Sequence, residues 1–264
     1  MQIKDKVFVI TGAGNGIGRE VALLILAKGG RVALVDINEA GLIATRDMVK
    51  ESIDRISLHP TDLSSLSQVE ALKEQVLHHH ARVDAIINVA GIIQPFVNIA
   101  DLDYKKIHQV MDVNFFGTLY MVKTFLPILL ERKEAHITNV SSMGAFVPVP
   151  GQSIYGASKA AVELMTLGLH SELKKTSVGV TLVLPGGVQT NIIKNSGAKL
   201  NPALEKAAQG GIKLLSPKKV AMIIVRATEK NKYRVTAGKD ARLLDIFSKI
   251  SLKTAAKIIA DKLS

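Results

Sequence analysis

Tyr155 and Lys159 stand four residues apart, so a helix places both on one face. A free phenol titrates near 10, too high for efficient acid–base work at neutral pH. A neighbouring ammonium favours the phenolate and lowers that value. The pair therefore suits proton transfer to or from an alcohol or carbonyl oxygen. Alone, the spacing more often marks a solvated helix face. Ser142, 13 residues upstream, shifts the balance. It closes the apolar run 137–140 and precedes small residues, so its hydroxyl can donate to an oxygen on which negative charge develops. Ser141 is the neighbouring alternative.

A second constellation lies near the N-terminus. The apolar run 7–10 enters Thr11-Gly12-Ala13-Gly14-Asn15-Gly16-Ile17-Gly18 and then a helical pattern. A diphosphate needs close backbone approach and amide donors at a helix start, and glycines permit both. A glycine-rich turn is a weak signal by itself; its place between a strand and a helix strengthens it. Asp36 ends the next apolar run, where a carboxylate can accept both hydroxyls of an adenosine ribose and repel a 2′-phosphate. Asn15 offers no cation to such a phosphate, so NAD is favoured over NADP; Arg19 and Arg31 are positioned to blur that preference. Asp62 and Leu63 follow the third run, where an adenine would lie, although Asp62 also reads as a helix cap. Asn88, Ala90 and Gly91 follow the fourth.

Elements of the right kind are present to position these residues. Strand-like runs at 7–10, 32–35, 56–58, 83–89, 136–140, 180–184 and 233–236 alternate with helical patterns near 17–29, 39–51, 64–80, 101–132, 152–175 and 216–230. Regular alternation predicts a parallel sheet with right-handed crossovers. Runs apolar almost throughout suit strands covered on both faces. The expectation is one α/β Rossmann domain over 1–239, doubly wound, with about seven strands and helices on both faces.

Composition narrows the function classes. With 47% apolar and 22% charged residues, the chain is neither disordered nor fibrous. It has no cysteine, which removes thiolate chemistry and fits a reducing cytoplasm. It has no Trp and only 4% aromatics, so stacking on nucleic-acid bases has little material. The net charge of +11 sits mostly in residues 213–264, which hold 13 Lys/Arg against four Asp/Glu. No secretory signal and no membrane-spanning helix are expected. His78, His79 and His80 read as a solvated helix end, and no metal is expected.

In order and approximate spacing, Thr11-Gly-x-x-x-Gly-x-Gly18, Asn88-x-Ala-Gly91, Asn114, Ser142, Tyr155-x-x-x-Lys159 and Pro185-Gly186 resemble the short-chain dehydrogenase/reductase family over about residues 5–237. The resemblance implies a role for each. Tyr155 would be the general acid/base, Lys159 would hold the nicotinamide ribose and lower the phenol pKa, and Ser142 would polarise the substrate oxygen. Asn114 would sit at a helix irregularity and anchor a water leading to Lys159. Gly12, Gly16 and Gly18, with Asn15 and Ile17, would frame the diphosphate, and Asp36 the ribose. Pro185, Gly186, Val188 and Thr190 would meet the nicotinamide end. Val89 departs from the second Asn common in the family, which implies altered packing.

The residues around this centre read apolar: Ile92, Ile93 and Phe96; Met143, Phe146 and Val147; and Ile192, Ile193, Ala198, Leu200 and Leu204 in an expected lid at 191–212. An apolar alcohol or ketone is therefore expected, with NAD as cofactor. The alternatives are a non-catalytic NAD(H) sensor and an NADPH-linked 3-oxoacyl-type ketoreductase. Apolar residues on more than one face of 101–132 and 152–175 predict a homo-oligomer, dimer or tetramer. Residues 240–264 form a basic amphipathic extension, expected to pack on its own or a neighbouring subunit, or to dock on anionic lipid.

Overall fold

The structure, a computed structural model, describes residues 1–198 and 214–263. Seven strands form one sheet in the order β3-β2-β1-β4-β5-β6-β7. They are β1 Val7–Thr11, β2 Arg31–Asp36, β3 Ile56–Pro60, β4 Ala85–Asn88, β5 Ala135–Val140, β6 Val178–Pro185 and β7 Arg234–Ala237. All six pairings are parallel. This is the doubly wound Rossmann arrangement that the alternation predicts.

The strands explain the two layers. Phe8 and Ile10 of β1 face one side, packed with Val21 and Ile25 of α1 (Gly16–Ala27) and with Val220 and Ile224 of the helix Pro217–Glu229. Val9 between them faces the other side. There it joins Val69 and Leu72 of α3 (Leu66–His80) and Met121 and Phe125 of α5 (Gly117–Leu130). Period-two alternation within an all-apolar strand thus feeds two cores, and α2 (Glu39–Asp47) flanks the edge strands.

The pattern at 101–132 resolves into three pieces. Helix α4 (Tyr104–Met111) passes through a π-helical turn, Asp112–Phe116, into α5. The run Tyr104–Leu130 is, against expectation, long and apolar enough by length and composition to cross a membrane. Few charges fall within it because one face lies on the sheet, with Val110, Asn114, Phe125 and Leu129 fully buried. The expected helix 39–51 stops at Asp47 and gives way to a 3-10 segment, Lys50–Arg55.

The histidine run also differs from expectation. His78 and His79 are exposed, but His80 is buried. Its Nε2 lies 2.9 Å from the Ser57 hydroxyl of β3, which also meets His59 at 2.7 Å. Helix α3 carries its last turn back onto the sheet edge, and the third residue of the run faces inward.

The extension begins directly after β7 and forms two helices, Lys239–Ile250 and Leu252–Leu263. The first buries Ala241 and Asp245 against its own chain and leaves Leu243, Ile246, Phe247 and Ile250 exposed.

Burial holds His136 of β5 at a pKa of about 3 and His80 at about 4; the N-terminal ammonium adds to the first effect and His79 to the second. Both are neutral in the fold, while the unfolded chain titrates near 6.5. Between those values the unfolded state binds more protons, so their contribution is complete above pH 6.5 and lost as pH falls. Each should remove up to about 1.4 kcal/mol per pH unit. The melting temperature should fall steadily from pH 6.5 to 5. A flat profile would refute the assignment.

Candidate active site

Parallel strands deliver their C-terminal ends to one edge, and the site is built there. Helix α1 opens at Gly16 with no acidic residue in its first turn and no side-chain cap from Asn15. Its leading amides are therefore available to an anion. Gly16 has φ +54°, and a Cβ there would meet only the Thr190 methyl at 3.7 Å. Gly18 is needed for close approach, since a Cβ would fall 2.2 Å from the Gly12 carbonyl oxygen. The turn borders a cavity of about 490 Å3.

Gly12, Asn15, Gly16, Ile17 and Gly18 line one wall of the cavity, and Asp36, Asp62 and Leu63 another. Ala90 and Gly91 form its floor, with Val89 beside them, and Thr190 and Ile192 close it from the β6 side. The Asp36 carboxylate accepts the Gly14 amide at 2.9 Å and the Asn38 amide at 3.0 Å, which fixes its direction and leaves lone pairs for hydroxyl donors. Arg31 begins β2 at the far end from Asp36 and donates to the Asp54 carbonyl. Arg19 is tied to the Gly14 carbonyl and to Thr45. Asp62 accepts from the amide and hydroxyl of Ser64, while Ser65 caps α3. An adenosine, a diphosphate and their ribose fit this donor and acceptor set.

Asn88 is not brought into the cavity. Its amide donates to Asn139 of β5 at 2.8 Å inside the sheet. It ties two strand ends together, a task that the residue type alone does not reveal.

The candidate proton-transfer residues lie beyond Gly91. Helix α6 (Ser153–Glu172) carries Tyr155 and Lys159. Lys159 is buried, with Nζ 3.3 Å from the Val140 carbonyl. A Cβ on Gly91 would lie 3.1 Å from that Nζ and 3.2 Å from Asn114 Oδ1, so cavity floor, lysine and asparagine adjoin. Ser142 ends the β5 loop, and its hydroxyl accepts the Gly144 amide at 3.1 Å. The Tyr155 ring and the Ser142 hydroxyl both adjoin Gly144, and the phenol is close enough to Ser142 for the hydroxyl to favour the phenolate. Ser141 donates instead to the Lys159 carbonyl at 2.7 Å and is buried, so geometry separates the two serines.

Asn114 does lie in a helix irregularity, the π turn. Its carboxamide accepts the Ile92 amide at 2.8 Å and donates to the Ile92 carbonyl and the Ser158 hydroxyl, both at 2.9 Å. It brackets the β4 loop to α6. Its side chain holds that bracket.

The electrostatics depart from the simple lysine-lowers-tyrosine scheme. Burial pushes the Tyr155 phenol up, and the Ser142 hydrogen bond pulls it back in part. Burial also lowers the Lys159 ammonium from 10.5 to about 8. Lys159 is buried and Tyr155 half-buried, which the i, i+4 spacing could not show.

Gln94 was not visible as a functional residue. Fully buried, its Oε1 accepts the amides of Ile154 and Tyr155 at 2.8 and 3.1 Å, and its Nε2 donates to the Gly151 carbonyl at 2.9 Å. It supplies the α6 cap that Gln152 does not. The one available signal is a glutamine set within the apolar run Ile92, Ile93, Pro95, Phe96.

Of the expected lid, residues 199–213, with Leu200 and Leu204, lie outside the described residues. The turn Ile192–Asn195 leads to Ser196, whose hydroxyl accepts the Ile93 amide at 2.9 Å. Pro185 ends β6, Gly186 follows it, and Val188 forms a parallel bridge with Leu215.

Comparison with known proteins agrees with this geometry. The family model described as short chain dehydrogenase matches residues 6–201. The chain belongs to the short-chain dehydrogenase family. The Mycobacterium tuberculosis protein named oxidoreductase SadH is 32% identical over 97% of the chain and 95% of that relative. A Staphylococcus aureus protein named as an uncharacterized oxidoreductase is 33% identical over 88% of the chain and 94% of its own length. A Burkholderia phymatum short-chain dehydrogenase/reductase solved with NAD superposes with a TM-score of 0.85 at 26% identity, covering 95% of this chain and 96% of that one. Levodione reductase superposes with a TM-score of 0.83 at 26% identity, covering 90% and 98%. A short-chain dehydrogenase of this shape is an oxidoreductase, and its turn-and-cavity geometry is that of a nucleotide site.

Two neighbouring serines should therefore respond differently. Ser142→Ala should lower kcat by about 10²–10³ with an unchanged melting point. Ser141→Ala should cost about 1 kcal/mol of stability, read by denaturant titration, with a smaller effect on turnover.

Proposed function

We propose that this short-chain dehydrogenase is an NAD-linked enzyme that interconverts a hydrophobic secondary alcohol and its ketone, with Tyr155 as general acid/base. The observation that carries the reading is that Ser142 and Tyr155 meet beside Gly144, while Lys159, one helical turn on from Tyr155, adjoins Gly91 of the cavity lining. A nicotinamide cofactor supplies hydride exchange when bound. The chain's residues do the rest. Ser142 donates to the substrate oxygen as charge develops there. Tyr155 takes the hydroxyl proton in oxidation and returns it in reduction. Lys159, still protonated at neutral pH with its pKa of about 8, provides the positive charge that the phenolate needs.

The cofactor preference rests on Asp36. Its carboxylate is fixed at the cavity wall, Arg31 lies at the far end of β2, and Arg19 is held by the Gly14 carbonyl and Thr45. That supports NAD over NADP, in line with the NAD in the Burkholderia phymatum structure. The apolar substrate rests on Ile92 and Ile192 at the cavity and on Met143 and Phe146 in the loop after Ser142. Oligomerisation rests on the outer faces of α4, α5 and α6, where Tyr104, Phe116, Leu130 and Leu164 are exposed.

Tyr155→Phe should reduce turnover by about 10²–10⁴ while NADH binding, followed by fluorescence, persists. Retained turnover in the purified variant would sink the assignment. A panel of hydrophobic secondary alcohols, monitored by NADH formation, tests the substrate class and separates an enzyme from a silent sensor. The kcat/KM ratio should favour NAD over NADP by at least about tenfold, and Asp36→Ala should narrow the gap.

A further inference from the structure

We infer that Asp240, in the C-terminal extension, is a positioning residue for the nicotinamide side of the site. The inference rests on the NAD-linked reading above. The strand β6 ends at Pro185, and the chain turns through Gly186 and Gly187 toward Thr190 at the cavity. The Asp240 carboxylate lies against this turn and accepts the Gly187 amide at 2.9 Å. Its oxygens occupy the space where side chains would stand on both flanks. A Cβ on Gly186 would fall 2.2 Å from Oδ2, and one on Gly238, where φ is +125°, would fall 2.2 Å from Oδ1. Two glycines thus make room for one carboxylate between the ends of β6 and β7.

Among the described residues the turn has no comparable side-chain anchor from the core. The Gly186 amide donates to the Ala237 carbonyl at 2.9 Å, and the Gly187 carbonyl accepts the Leu215 amide at 2.9 Å. These backbone bonds fix the strand end and tie the turn to Leu215, and Asp240 fixes the amide between them. Asp240 also stands in the first turn of its helix, where a carboxylate is favoured by the helix dipole.

That helix is itself held rigidly to the catalytic elements. Asp245, one turn further on, takes two hydrogen bonds from Arg234 at 2.8 and 2.9 Å. Arg234 also pairs with Glu163 of α6 at 3.0 Å and stands 5.6 Å from the Phe146 ring. The extension is therefore braced on the helix of Tyr155 and on the loop of Ser142. A side chain so braced can transmit a fixed position to the Gly187 turn.

The test compares NADH with ADP-ribose, which has the adenosine diphosphate half but no nicotinamide. Calorimetric dissociation constants would be measured for the full chain, Asp240→Ala and Asp240→Asn. For Asp240→Ala we expect NADH to weaken about tenfold and ADP-ribose by less than about twofold. Asp240→Asn keeps an acceptor oxygen and should restore NADH binding to within about threefold of the parent. Should Asp240→Ala fail to fold, Asp240→Ser, whose hydroxyl is too short to reach Gly187, replaces it with the same expectation. Equal weakening of both ligands, or no change in either, would overturn the inference. If the parent chain binds neither ligand, the NAD-linked reading itself fails, an outcome distinct from a failure at Asp240.

Discussion

The site depends on keeping one ammonium, Lys159, out of water. It is 4% exposed, and among the described residues no carboxylate pairs with it. Charging such a group is costly, which is why its pKa falls to about 8. The fold accepts that cost because a mobile, hydrated lysine could not fix the electrostatics of a phenol one helical turn away. Around Lys159 buried hydrogen bonds hold its neighbours in place. Ser141 takes its carbonyl, Val140 meets its ammonium, and Asn114 reaches Ser158 next to it.

The same requirement explains the cap on α6. A helix start leaves four amides without intrahelical partners. Gln94 satisfies two of them from the loop after β4, so the helix carrying Tyr155 is registered against the strand whose end lies on the cavity floor. The π turn at Asp112–Phe116 serves the neighbouring register. It places Asn114 where one side chain can hold both the Ile92 backbone and α6. Loop, π turn and α6 are thus tied to one another by side-chain hydrogen bonds. Such ties suit a proton transfer between closely set groups.

Much of this was legible in the sequence. β-branched runs of five or so residues between helical patterns suffice to specify a doubly wound sheet, because both faces of each strand must be apolar. Glycines at 12, 16 and 18 mark the anion turn: Gly12 and Gly16 adopt positive φ, Gly12 packs closely on Ala90 and Gly18 on Gly12. Less legible were the helix interruptions. The pattern at 101–132 reads as one amphipathic helix because a π turn adds a residue without breaking apolar periodicity. His80 reads as solvated because its partner, Ser57, lies 23 residues away on the edge strand.

Residue types and spacing alone determined the fold class, the nucleotide turn and the candidate acid/base pair. All three follow from local periodicity, backbone permissiveness and helix geometry, which act over a few residues. Tertiary structure alone decided which of two adjacent serines faces the phenol and that Asn88 belongs to the sheet. It also decided that Gln94 caps the catalytic helix and that a carboxylate in the tail grips the Gly187 turn. Those outcomes turn on hydrogen bonds between segments 18 to 61 residues apart. A buried donor takes whichever acceptor packing brings to it, and no local pattern records that choice.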